Sequence, residues 1–142
     1  LKYLLDTNII SELTKTTPNE NVISFLGTIK EQDIYLSVIT IGEISFGIHK
    51  LQSQKKRENL SYWLENDLLI RFQNRIVDID IETMLIWGEL SQRLKTSGTP
   101  MPIMDSLIGA TCLTKGHTLI SRNEKDFANL DIKVINPFKV EY

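Results

Sequence analysis

The sequence predicts an α/β domain: a central parallel sheet of about five strands with helices on both faces. Three observations predict it. Short apolar, β-branched runs alternate along the chain with segments of helical spacing, which is the pattern of strand–helix–strand units. The runs are apolar throughout rather than alternating with polar residues, as strands covered on both faces must be. And 142 residues, 42% hydrophobic and 24% charged, suit a single compact domain spanning 1–142 that fills a core and stays soluble.

The elements follow in order. "KYLL" reads as a short buried strand, "NIISELTK" as a short helix and "TTPNE" as a break. Val22, Phe25, Leu26 and Ile29 fall at i, i+3, i+4 and i+7 and mark an amphipathic helix. "DIYLSVI" is β-branched and aromatic, a second strand, and "TIGEISFGIHKLQ" returns to helical spacing. A longer helix runs through "KKRENLSYWLENDLLIRF" with Leu60, Leu64 and Leu68 on one face. "RIVDID" is a third strand. Ile86, Leu90 and Leu94 mark the next helix, which ends at "TSGTPMP". "IMDSLIGATCLTKG" is a helix apolar on most sides, with Gly116 as its stop. "TLIS" is a fourth strand, "RNEKDFANL" a loop with room for one helical turn, and "KVIN" a fifth strand.

Composition excludes several classes. Sixteen Lys and Arg against 18 Asp and Glu leave a net charge of −2, which argues against gripping nucleic acid by charge alone. His49 and His117 stand far apart and Cys112 is the single cysteine, so a Cys/His zinc site is not supported. No apolar stretch approaches the ~20 residues that span a bilayer, and the start lacks the basic and apolar regions of a secretion signal. The expectation is a cytoplasmic protein whose one thiol is buried and reduced.

In open parallel sheets, ligands bind beyond the carboxyl ends of the strands. Asp6 ends the first strand. Glu43 lies five residues past Val38, expected in the first turn of the helix after the second strand. Asp105 sits early in the apolar helix, and Asn123 follows the fourth strand with Asp126 three residues on. Each has a structural reading. Asp6 or Asn8 can cap the first helix. Thr40-x-x-Glu43 and Ser121-x-x-Glu124 are capping-box patterns. Asp105 suits the helix dipole behind Pro102. Taken singly, Glu43 and Asn123 favour the structural reading, and for Asp6 the two are balanced.

Asp105 resists it. Ile103, Met104, Leu107 and Ile108 surround it in sequence, so the helix is expected to be buried. A helix dipole returns only ~0.3–1 kcal/mol, whereas an unpaired buried carboxylate costs several kcal/mol on the order of its desolvation. Apart from Arg122, no Lys or Arg near these segments is an evident partner. A divalent cation would serve Asp6, Glu43 and Asp105 together. Carboxylates and an amide are hard oxygen donors suited to Mg²⁺ or Mn²⁺, and such an ion can activate water and neutralise a phosphate.

The segments "LLDTNIISEL", "YLSVITIGEISFGI", "PIMDSLIGATC" and "LISRNEKDF" resemble, in order and spacing, the four motif segments of PIN-domain ribonucleases. Within that family the chain is most similar to bacterial VapC-type toxins of the FitB-like branch. The likeness runs from "KYLLDTN" to "INPF". One segment alone is a weak motif; four in order are specific.

The resemblance implies a PIN-like fold, an acidic pocket binding Mg²⁺ or Mn²⁺, and endonucleolytic hydrolysis of RNA. Carried over, Asp6, Glu43 and Asp105 match the three core acids, catalytic and metal-binding. The fourth position, often Asp, is Asn123 here, which offers a carbonyl oxygen without charge and is expected to orient a water; Asp126 can supply the missing charge. Thr7, Asn8 and Ser121 are candidate hydrogen bonders that hold the carboxylates, with turn and cap chemistry as the equal alternative for Thr7 and Ser121. The resemblance further implies a homodimer and a cognate VapB- or FitA-like, DNA-binding antitoxin.

Lys50, Lys55, Lys56 and Arg57 form a basic cluster that either steers RNA or is a solvated helix surface. Trp63, Trp87 and Tyr62 are expected in the core or an interface. Two other classes compete. Phosphatases that begin Asp-x-Asp need an acid where Asn8 stands, and receiver domains need an acid beside Asp6. A catalytically weak PIN-like module that only binds RNA or protein stays open because of Asn123.

Overall fold

The computed structural model describes residues 1–139. Strands β1 (Tyr3–Leu5), β2 (Ile34–Ser37), β3 (Ile76–Val77), β4 (Thr118–Ile120) and β5 (Val134–Ile135) pair in parallel in the order β3-β2-β1-β4-β5. The predicted class is therefore the observed one. After β1 the chain builds outward on one side through β2 and β3, then returns to place β4 on the other side of β1. The reversal lies between β1 and β4, where Leu4 pairs with Leu119 and Leu5 with Ile120. A crevice opens at such a reversal, beyond the carboxyl ends of the strands.

Side chains on a strand alternate faces, so adjacent strand residues feed two different cores. Leu5 and Ile120 join Ile9, Ile10, Val22, Ile34, Leu36, Leu64, Leu68 and Phe72 on one face. Leu4 and Leu119, their neighbours, join Leu90, Leu94, Ile108, Cys112 and Phe127 on the other. The first face is covered by α1 (Thr7–Leu13), α2 (Glu20–Gly27), α3 (Val38–His49) and the long segment that follows. The second is covered by α6 (Ile81–Thr96) and α7 (Ile103–Lys115).

The long segment is α4 (Gln54–Trp63), a π-helical turn over Leu64–Leu68, and α5 (Leu69–Arg71). The wide turn has a cause in the sequence. Residues four apart drift by about 40° around an α-helix of 3.6 residues per turn. Leu60, Leu64 and Leu68 would swing off the core, and one wider turn takes up the drift, leaving Leu64 and Leu68 both buried. Trp63 packs against the first core and Trp87 against the second, as expected, but Tyr62 is 71% exposed.

Two boundaries differ from the sequence reading. β2 stops at Ser37 because its hydroxyl accepts from the Ile39 amide at 3.0 Å, which starts α3 at Val38. Glu43 thus stands in the second turn of α3, and Thr40 is no cap. Ile103 and Met104 are exposed at the start of α7, whose buried stretch begins at Ser106. Gly116 does end α7, with a left-handed φ of 69°. A Cβ there would meet nothing within 4 Å, so the cost of Gly116→Ala is purely conformational. It is expected to destabilise the fold by about 1 kcal/mol, read from urea unfolding. No helix among the described residues is long and apolar enough to cross a membrane.

Candidate active site

The crevice beyond β1 and β4 is where the predicted residues meet. Asp6, Thr7, Asn8, Glu43, Asp105 and Asn123 line one cleft, together with Ser11, Glu12, Lys15, Arg122 and Phe138. β1 delivers Asp6, α3 delivers Glu43, the first turn of α7 delivers Asp105, and the loop after β4 delivers Asn123. Four segments scattered over the chain thus converge because their strands are neighbours.

Asp6 does two things. Its backbone is the N-cap of α1, and Oδ1 accepts from the Thr7 amide at 2.8 Å. Oδ2 turns across the crevice and accepts from the Ser121 hydroxyl at 2.7 Å and from Asn8 Nδ2 at 3.2 Å. Ser121 is fully buried directly after β4 and also accepts from the Asn123 amide at 3.0 Å. It holds a carboxylate rather than closing a capping box with Glu124. Burial pushes the Asp6 carboxyl up despite the lowering effect of these donors, with a smaller push from the charge of Asp126.

Glu43 accepts from the Thr7 hydroxyl at 2.6 Å, and Thr40 Oγ1, fully buried, lies 3.3 Å from that hydroxyl. Thr7 therefore connects the end of β1 to α3 and fixes Glu43. Asp105 has no hydrogen-bond or ion-pair partner among the described residues. Its carboxyl is pushed up to about 6, first by burial and then by the charges of Asp6, Glu43 and Asp126. The acids are close enough to repel one another, which is the electrostatic signature of a shared site.

Asp126 does not line this cleft. It is exposed on the short turn after Asn123 and borders an adjacent depression with Arg122 and Asn123, from where its charge reaches Asp6 and Asp105. Among the described residues, no three His, Cys, Asp or Glu side chains converge tightly enough to hold an ion as a set. Asp6, Glu43 and Asp105 form an open triad, with Glu43 drawn towards Thr7.

Sequence reasoning passed over one half of the cleft. Glu12 is only 6% exposed, accepts from Lys15 Nζ at 3.0 Å and from the Asn19 amide at 3.2 Å, and lines the same cleft. In sequence an acid and a lysine at i, i+3 spacing are indistinguishable from an ordinary surface pair. Phe138 enters the sequence reading only as the last residue of "INPF", with no role attached. The basic cluster after α3 does not reach the cleft. Arg57 is spent on the carbonyls of Leu51 and Gln52, and Lys50 lies over the Phe46 ring.

The family model for the PIN domain matches residues 3–133. The chain belongs to the PIN-domain family. Among relatives of this PIN domain, the toxin FitB of Neisseria gonorrhoeae is 35% identical over 135 residues, 95% of this chain and 97% of that protein. The VapC ribonuclease Y4jK of Sinorhizobium fredii is 30% identical over 96% of this chain and 97% of its own. Among solved structures, FitAcB from Neisseria gonorrhoeae superposes with a TM-score of 0.90 at 34% identity, covering 97% of this chain and 99% of that one. A FitAB structure bound to a DNA fragment gives the same score and identity, covering 99% and 98%.

Proposed function

We propose that this PIN domain is an endoribonuclease that hydrolyses RNA phosphodiester bonds with Mg²⁺ or Mn²⁺, and that it is the toxin of a toxin–antitoxin pair. The observation that carries the chemistry is Asp105: a partly buried carboxylate without a partner among the described residues, sharing a cleft with Asp6 and Glu43 at the sheet's reversal point. All three offer hard oxygen donors. Mg²⁺ keeps several waters and takes few carboxylates, so an open triad suits a hydrated ion. Asp6 and Asp105 are the residues that would hold it, with Glu43 completing the site.

When bound, such an ion supplies charge neutralisation for the phosphodiester and activation of water. The chain's own residues do the rest. The Ser121, Asn8 and Thr7 donors keep Asp6 in one orientation. Thr7 holds Glu43, placing its free oxygen to accept a proton from the attacking water. Asn123, with its amide nitrogen anchored on Ser121, offers a side-chain carbonyl to orient that water.

The toxin reading is supported by the likeness to FitB and to VapC ribonucleases. A DNA-binding antitoxin partner is supported by the likeness to FitAB on DNA. An acidic cleft of this kind needs a cation when no metal is present, and a basic side chain of such a partner would provide one. A cytoplasmic homodimer completes the reading.

The uncharged Asn123 and the open triad favour one second reading, a module that binds RNA or protein without cutting. A single experiment separates them. The purified chain, free of any antitoxin, should cut single-stranded RNA with Mg²⁺ or Mn²⁺ and lose the activity in EDTA. Failure to cut varied RNAs, together with no calorimetric metal binding, would leave the binding module.

A further inference from the structure

Asp6, Glu12, Glu43 and Asp105 make the cleft acidic, yet RNA brings one negative charge per nucleotide. Two cations line it, Lys15 and Arg122. Lys15 is already engaged by Glu12 at 3.0 Å. Arg122 is different in how it is held. Its amide donates to Asn8 Oδ1 at 3.1 Å, and its carbonyl accepts from Asn136 Nδ2 at 3.3 Å. Its guanidinium lies over the Phe138 ring, 4.7 Å from the centroid, a distance at which the ring face attracts the cation.

Phe138 is fixed in turn. Its amide donates to Asn136 Oδ1 at 2.9 Å and its carbonyl accepts from Asn21 Nδ2 at 3.1 Å. An exposed arginine is ordinarily free to wander. Here the side chain is braced on Phe138 and the backbone is tied through Asn8. That same Asn8 donates to Asp6 Oδ2. The backbone of Arg122 is therefore tied, through one side chain, to the carboxylate proposed to hold the metal, while its guanidinium is braced on Phe138.

We propose that Arg122, braced on Phe138 and registered to Asp6 through Asn8, is a phosphate-binding residue that seats the RNA backbone at the rim of the cleft. The proposal rests on the nuclease reading and specifies its substrate contact. A guanidinium fork on an aromatic plane binds phosphate oxygens in pairs and keeps its charge at any working pH. Lys15, whose charge is met by Glu12, is not such a seat.

The test is kcat/KM for cleavage of an unstructured RNA with Mg²⁺, measured against NaCl concentration for the wild type, R122A, R122K, F138L and K15A. Each phosphate contact to a single strand contributes a salt slope of about −0.7. R122A should lower kcat/KM about tenfold, chiefly through KM, as loss of one charge-assisted contact predicts, and flatten the slope by about that 0.7. R122K should restore the slope, because the charge returns. F138L should raise KM with the slope kept, and K15A should keep the wild-type slope.

A wild-type enzyme that cuts RNA while R122A keeps its slope and KM overturns the seat alone. So does a K15A slope as flat as that of R122A, which would reveal a general field, or an F138L enzyme with wild-type KM. A wild-type chain that neither cuts nor binds RNA overturns the nuclease reading, and the seat with it.

Discussion

Asp105→Asn should reduce metal-dependent RNA cleavage by well over a hundredfold and, in the same protein, raise the stability of the metal-free fold. Residues that merely support metal ligands cost about 10–100-fold when removed, so loss of a proposed ligand sets a higher floor. The gain in stability comes from the same electrostatics. The Asp105 carboxyl moves from 3.8 to about 6 on folding, through burial and the charges of Asp6, Glu43 and Asp126. The folded chain therefore holds that proton more tightly than the unfolded chain does. The stabilising linkage is fully present below pH 3.8 and is lost as pH rises through about 6.

At pH 7.5 the ionised side chain opposes folding. The shift would correspond to about 3 kcal/mol at full weight, but Asp105 is only partly buried and solvent screens it, so about 1 kcal/mol is expected. Urea unfolding in EDTA at pH 7.5 should show Asp105→Asn more stable by that amount. Near pH 4 the two proteins should converge. A variant that is inactive but no more stable at pH 7.5 would mean that the acids do not repel in the folded state. A variant that still cuts RNA would remove Asp105 from the site.

Asp6→Ala should behave in the opposite way on stability. Asp6→Ala and Asp6→Asn are both expected to abolish cleavage, but they should differ in cost to the fold. Alanine removes the acceptor for the Thr7 amide, the Asn8 amide and the fully buried Ser121 hydroxyl. Leaving buried donors unmet costs about 1–3 kcal/mol per group. With Thr7 and Asn8 only partly buried, about 2–3 kcal/mol in all is expected. Asparagine keeps the shape and one acceptor oxygen and also removes a buried charge that opposes folding, so its cost should fall well below that of alanine. Denaturation midpoints and cleavage rates measured on both variants separate the roles. Cleavage within about tenfold of wild type by Asp6→Asn would reduce Asp6 to a helix cap, since capping survives in asparagine.

The pairing of these outcomes matters. If both acids served only as caps or dipole partners, neither substitution would touch activity, and removing Asp105 would weaken α7 by a few tenths to about 1 kcal/mol. Opposite stability changes with a shared loss of activity are what a cation site predicts. Electrostatic strain is tolerated there because a ligand relieves it.

Much of this was legible without coordinates. The apolar runs and helical periods predicted the alternating order, and Gly116 marked the end of α7. The predicted site residues, apart from Asp126, meet in or directly beneath one crevice. Boundaries were less legible. Val38 and Ile39 are β-branched and looked like strand, but the Ser37 hydroxyl claims the Ile39 amide and turns the chain into α3. The exposure of Ile103 and Met104 was hidden too, because an apolar residue at a helix start has the same letter whether it is covered or not.

The sequence by itself determined the fold class, the polarity of the sheet and the set of acids. These follow from periodicity and residue type, which act over a few neighbours at a time. Only the tertiary structure decided which donors serve which acid. Ser121 reaches Asp6 from 115 residues away, Thr7 reaches Glu43 from 36, and Arg122 is tied to Asn8 from 114. Such pairings depend on strand order and register, and on the few ångströms by which a hydrogen bond is made or missed.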